Sequence, residues 1–120
     1  MSALNFHILV NAPPHSQTAK RAMAFVSDSL NMGHNICQIF FYGPGVKNAL
    51  SQEWIKLIHQ QSLEATACIN SVEEYAPQLQ QKADSPVQVA GMAQLAAASK
   101  NADRTITFGL RSNDTADTPE

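Results

Sequence analysis

Apolar positions along this chain switch between two periods, runs of four to seven residues and helical spacing. Phe6-His7-Ile8-Leu9-Val10 is a short, nearly continuous apolar run, the pattern of a strand covered on both faces. Asn11 to His15 holds Pro13-Pro14, which cannot feed a sheet ladder, and reads as a loop. From Ser16 or Thr18 to Met32, Ala19, Ala22, Met23, Val26 and Leu30 recur at helical spacing, and Gly33 supplies a C-terminal stop. Ile36 to Tyr42 predicts a second strand, rich in branched and aromatic residues and closed by a tight turn at Gly43-Pro44-Gly45. Ser51 to Gln61 puts Trp54, Leu57 and Ile58 on one helical face, with Ser51 as N-cap.

The stretch Leu63 to Glu74 predicts a third strand ending at Cys68 or Ile69, a two-residue link, and a helix opening at Ser71. Ser71 and Glu74 have the spacing of a capping box, in which serine accepts from a first-turn amide and glutamate reaches back. Pro77 ends that helix, and Gln78 to Ser85 is polar with little periodicity. Val87 to Ala90 predicts a fourth strand, Met92 to Asn101 an alanine-rich helix and Thr105 to Phe108 a fifth strand. Ala93, Ala96 and Ala97 read as the face of that helix that packs on the sheet, though small residues there also suit subunit contacts. Alternation of strand and helix implies an α/β fold: three layers, α/β/α, around a central, mostly parallel five-stranded sheet. One domain is expected over residues 1–110, with a polar, disordered tail over 111–120.

Composition narrows the function. The charged fraction of 15% is low, which hints that part of the surface is covered by another subunit. A net charge of -2 and eight unclustered basic residues argue against direct nucleic-acid binding. No apolar run approaches the ~20 residues that span a bilayer, and no signal-peptide pattern opens the chain, so a cytoplasmic protein with reduced cysteines is expected. Two cysteines with no CxxC or His/Cys cluster argue against structural zinc, and no dinucleotide fingerprint or other cofactor motif is present.

In a parallel sheet, ligands and reactive groups gather beyond the carboxyl ends of the strands. Three predicted loops meet at that edge, after Val10, after Tyr42 and after Cys68. Cys68 is the nucleophile there. A thiol facing a helix N-terminus meets unpaired N–H donors that favour thiolate, whereas Glu73 and Glu74 oppose it. The plainer alternative is a cysteine that packs as a small hydrophobe. His15 shares the edge and is a candidate to orient or protonate a sulfur species; Tyr42, Asn70 and Ser71 are the other candidates at its rim. Cys37 and His7, inside strands, read as buried structural residues, and His34 and His59 as surface residues. No Ser/His/Asp order and no paired-carboxylate spacing supports a small-molecule enzyme.

With these residues laid out, the chain resembles the DsrE/TusD family of small sulfur-relay proteins from Phe6 to about Gly109. Phe40-Phe41-Tyr42 followed by Gly45-Val46 is similar to that family's FFY-x-x-GV turn. Trp54 precedes Cys68, which stands in the place of the family's sulfur-carrying cysteine. Gly91-Met92-Ala93-Gln94-Leu95, leading to Ala102-Asp103-Arg104-Thr105-Ile106-Thr107-Phe108, resembles the family's ending. The resemblance implies a sulfurtransferase whose Cys68 accepts sulfane sulfur as a persulfide from a donor protein and passes it to an acceptor. Such relays serve 2-thiouridine synthesis in tRNA or dissimilatory sulfur oxidation. It also implies a homo- or hetero-oligomer, trimer or hexamer. A non-catalytic assembly module of the same fold is the alternative. Where family members carry small residues and then Arg-Gly after the cysteine, this chain has Asn70, Ser71, Glu73, Glu74 and Pro77.

Overall fold

A computed structural model describes residues 3–82 and 84–109; the expected C-terminal tail lies outside the described residues. Five strands, β1 (Asn5–Val10), β2 (Asn35–Phe41), β3 (Ala65–Cys68), β4 (Val87–Ala90) and β5 (Arg104–Phe108), form one sheet in the order β4-β3-β2-β1-β5. Every pairing is parallel. The α-helices are α1 (Gln17–Asn31), α2 (Gln52–Gln60), α3 (Ile69–Tyr75) and α4 (Met92–Ser99). Two 3₁₀ helices, Gly43–Leu50 and Pro77–Gln81, precede α2 and follow α3.

The strand order dictates how the helices divide. From β1 to β4 the chain steps in one direction, so right-handed crossovers lay α1, α2 and α3 on one face. From β4 it must return past β1 to reach β5, and that reversal puts α4 on the opposite face. The main core is built on the first face: Phe6, Ile8, Val10, Ile39, Phe41, Ala65 and Ala67 of the sheet meet Val26, Val46, Trp54, Ile58 and Val72. Trp54 packs edge-to-face on Phe41 at 5.2 Å and 84°. Strand side chains alternate, so the second face receives His7, Gln38, Thr66 and Cys68. There His7 Nε2 lies 2.8 Å from Gln38 Oε1, and Gln38 Nε2 donates to Thr66 Oγ1 at 3.1 Å. His7 Nδ1 stands 3.2 Å from Ser99 Oγ, which ties α4 to the sheet. Buried polar groups are thus paired across three adjacent strands.

Several local expectations need correction. Gly43-Pro44-Gly45 is no isolated turn but the start of a 3₁₀ helix, with Pro44 in its first turn where the missing N–H costs nothing. The polar stretch after Pro77 contains the second 3₁₀ helix, pinned by the buried Leu79. Ala93, Ala96 and Ala97 do not pack on the sheet; they are exposed, while Leu95 and Ala98 are half-buried. A methyl group is too short to hold α4 close, so the covered side of that helix is thin. His34 is half-buried rather than superficial: its Nδ1 accepts the Leu4 N–H at 3.0 Å and its ring stands on Phe6.

Candidate functional site

Ala65-Thr66-Ala67-Cys68 is a four-residue strand of small side chains, buried throughout and held between β2 and β4. Cys68 ends it at the carboxyl edge and is itself the N-cap of α3, with φ -64° and ψ 125°. No link intervenes, and Ser71 is not the cap. That corrects the expected capping box: Ser71 lies within the first turn, and its Oγ accepts the Gly43 N–H at 2.8 Å. Glu73 and Glu74 are exposed on α3. The sequence pattern was met by a different partner, because a serine three residues into a helix bonds whichever amide the fold brings to it.

That hydrogen bond joins the loop after β2 to the helix that begins at the thiol. Gly43 has φ +54°, a left-handed value that glycine adopts without strain. Gly45 presses on the end of β1, where a Cβ would collide with the Val10 carbonyl. Asn48, fully buried, donates through Nδ2 to the carbonyls of Ala12 and Gly45, both at 2.8 Å. The loops leaving β1 and β2 are therefore cross-braced beside Cys68. Asn48 is a bracing residue that the sequence reading missed; a lone amide among Val46, Ala49 and Leu50 was the available signal.

Cys68 retains 6% of its surface, and the two residues after it, Ile69 and Asn70, are exposed. Cys68 itself is thus buried, with exposed chain directly after it. Of the other rim candidates, Tyr42 is half-buried and its ring lies 6.3 Å from Phe40. His15 is exposed and leaves the sheet from β1, two strand spacings, about 10 Å, from β3. The fold thus brings Ser71, Asn70 and the Tyr42–Gly43 link to Cys68, and leaves His15 apart.

Cys37 meets a different setting. It is half-buried rather than sealed within β2, and it opens into a recess of about 180 Å³ with Gln38, Glu64, Ala97, Ala98 and Asn101. Its Sγ lies 3.9 Å from the Ala98 carbonyl. Burial pushes its thiol pKa up, opposed by backbone hydrogen bonds at Cys37 and Gln38, and the negative charges of Glu64 and Asp103 add a smaller rise. Cys37 is level with Leu63 in the β2–β3 register, so Cys68 lies five residues further along, about 17 Å away. A disulfide needs Cα atoms within about 7 Å, and the two cysteines are too far apart to pair within one chain.

Among the described residues, no group of three His, Cys, Asp or Glu side chains could hold a metal ion. Nor is any helix among them long and apolar enough to cross a membrane.

The geometry has known counterparts. The chain is 30% identical to the sulfurtransferase TusD homolog of Pseudomonas aeruginosa over 88% of this chain and 98% of that one. It is also 30% identical to the sulfurtransferase TusD homolog of Aliivibrio fischeri, over 88% and 99% of the two chains. The crystal structure of the ychN protein from E. coli superimposes with a TM-score of 0.66 over 89% of this chain and all of the other, at 13% identity, a likeness of fold. Residues 5–108 match the family model, and the chain belongs to the DsrE/DsrF-like family.

Proposed function

We propose that this protein is a sulfur-carrier sulfurtransferase that holds sulfane sulfur on Cys68. Its family and the sulfurtransferases related to it support a sulfur-transfer role. The observation that carries the assignment to a residue is the place of Cys68, a thiol at the carboxyl edge of an interior strand with exposed chain directly after it. In the reaction, the Cys68 thiolate attacks the outer sulfur of a donor persulfide. The donor's S–S bond breaks, a new S–S bond forms on Cys68, and the donor leaves as a thiolate, so no outside oxidant is needed. Discharge repeats the exchange in the other direction, onto the thiol of an acceptor carrier protein. Because Cys37 is out of reach, that thiol comes from another molecule. A homo- or hetero-oligomer, trimer or hexamer, acting in the cytoplasm in tRNA thiolation or sulfur oxidation, is the setting this reading implies.

Incubation with a cysteine desulfurase and cysteine, followed by intact-protein mass spectrometry, tests it. One extra sulfur atom is expected on the wild type and on Cys37→Ser, and none on Cys68→Ser. Equal loading of the two variants defeats the assignment. The burial of Cys68 favours a second reading, a non-catalytic assembly module in which the thiol packs. Slow alkylation of Cys68 across pH 7 to 9, matching that of an inert thiol, would establish it.

A further inference from the structure

Resting on the carrier reading, we infer that the Tyr42 ring is the wall against which Cys68 holds its transferred sulfur, and that this ring shields the sulfur from small thiols between donor and acceptor. Strand register, side-chain face and the chemistry of the surroundings carry the inference.

Register puts the two residues level. Phe40 pairs with Thr66 and Phe41 with Ala67, so the next residues, Tyr42 and Cys68, stand side by side. Tyr42 is still extended there, with φ -146° and ψ 166°, and its N–H donates to the Val10 carbonyl at 3.0 Å as a continuation of the ladder. Beyond this pair the two chains stay together, because the Gly43 N–H donates to Ser71 Oγ at 2.8 Å. The backbones of Tyr42 and Cys68 are therefore one strand spacing apart, about 5 Å.

Both side chains leave the sheet on the same face. Gln38 bonds Thr66 across the strands at 3.1 Å, which fixes the face of each, and Tyr42 and Cys68 follow them at even spacing. The Tyr42 ring lies 6.3 Å from that of Phe40, tilted by 34°, in keeping with two side chains on one face of a strand. On the other flank of Cys68 stands its register partner Ala90, whose methyl group is too short to cover a thiol. Of the two flanking residues, Tyr42 is the one long enough to close over a cysteine that keeps 6% of its surface.

The surroundings decide what the ring does. Gln88, Thr66, Phe40 and Leu9, in the row behind Ala90, Cys68 and Tyr42, carry no charge. This part of the face offers contact and exclusion rather than an ion pair. Sulfur–ring contacts are favourable with the sulfur about 5 Å from the ring, often at its edge, which is the spacing that the two strands impose. A persulfide adds a second polarisable sulfur and extends that contact. Phe40, fully buried, supports the ring. A ring held there occupies space through which a small nucleophile would approach the outer sulfur. Tyr42 is itself half-buried, so a docking protein can touch it and push it aside.

The test follows loss of the sulfur from the full chain in a Cys37→Ser background, loaded with a cysteine desulfurase and cysteine. Dithiothreitol then discharges it. One thiolate of the reductant takes the outer sulfur, the S–S bond to Cys68 breaks, and Cys68 leaves as a thiolate. The second thiol closes the oxidised ring and expels hydrogen sulfide, which is measured. Tyr42→Ala is expected to lose its sulfur about tenfold faster than the wild-type residue, and Tyr42→Leu, which keeps bulk but no ring, about threefold faster. Tyr42→Phe, which keeps the ring, should restore the slow rate to within about twofold. Iodoacetamide labelling of Cys37, in a Cys68→Ser background, should be the same with Tyr42 and with Tyr42→Ala. Should Tyr42→Ala fail to fold, the contrast of Tyr42→Leu with Tyr42→Phe decides. Equal rates of sulfur loss in all these proteins, or a Tyr42→Phe as fast as Tyr42→Leu, overturn the proposal. So does faster labelling of Cys37, which would mean that the whole sheet has loosened. If Cys68 takes up no sulfur at all, the carrier reading falls and the shield with it; loading followed by loss indifferent to residue 42 sinks the shield alone.

Discussion

Cys37 and Cys68 stand on adjacent strands of one sheet, and their surroundings differ in kind. Cys37 lies in mid-strand beneath a helix too lightly packed to seal it, beside Glu64 and with its thiol pKa raised. Cys68 lies where the sheet ends, on a strand whose alanines and threonine keep it slim, with braced loops on one side and exposed chain on the other. Partial exposure alone would rank Cys37 the better nucleophile. On the proposed reading, placement reverses that ranking, because a sulfur carrier needs a thiol at an edge that a partner can approach.

The comparison is most sharply broken by sulfur loading: full loss in Cys68→Ser against none in Cys37→Ser, read by mass spectrometry. Next in size is the contrast between the two faces of the sheet. Trp54→Ala, which empties the packing against Phe41, should cost about 3–5 kcal/mol in urea unfolding, whereas Ala97→Ser on exposed α4 should stay within about 0.5 kcal/mol. A comparable loss in both would mean that α4 is packed far more tightly than its exposure indicates. Ser71→Ala leaves the Gly43 N–H without its partner and should cost about 1–3 kcal/mol; slower loading of Cys68 at temperatures where the fold is intact would show that the brace also places the thiol. An unchanged loading rate would make that bond purely structural.

The smallest effect is pH dependence on the Cys37 face. Burial lowers the His7 pKa from 6.5, opposed by the hydrogen bond to Gln38. The unfolded chain then binds the proton more readily, so stability falls as pH drops below about 6.5 and levels off below the folded-state value. Melting curves between pH 7 and 5 should show this fall, and His7→Gln should flatten it. A slope unchanged in His7→Gln would assign the acid sensitivity to other groups.

Periodicity alone located most of the fold. The strand around Ile8, the helix carrying Ala19, Ala22 and Val26 and the N-cap at Ser51 all appear where apolar spacing and cap residues put them, since these signals arise within a few residues. The 3₁₀ helix at Gly43 was not legible, because its stability comes from Asn48 reaching the β1 loop, thirty-six residues away in sequence. The Ser71–Glu74 box misled for the same reason: a local motif predicts a local partner, and Gly43 arrived from another strand. Strand composition predicts a buried Cys37 because it says what a side chain prefers, not whether the helix opposite carries enough bulk to cover it.

What the sequence determined by itself is the alternating order of elements and the presence of a cysteine at the end of the third strand, since both follow from short-range pattern. What only the tertiary structure decided is that Cys68 caps a helix without a link, that His15 stands two strands away, and that the loop at Gly43 is tied to the helix that begins at the thiol. Those depend on strand order and register, which join residues remote along the chain through contacts that no local spacing encodes.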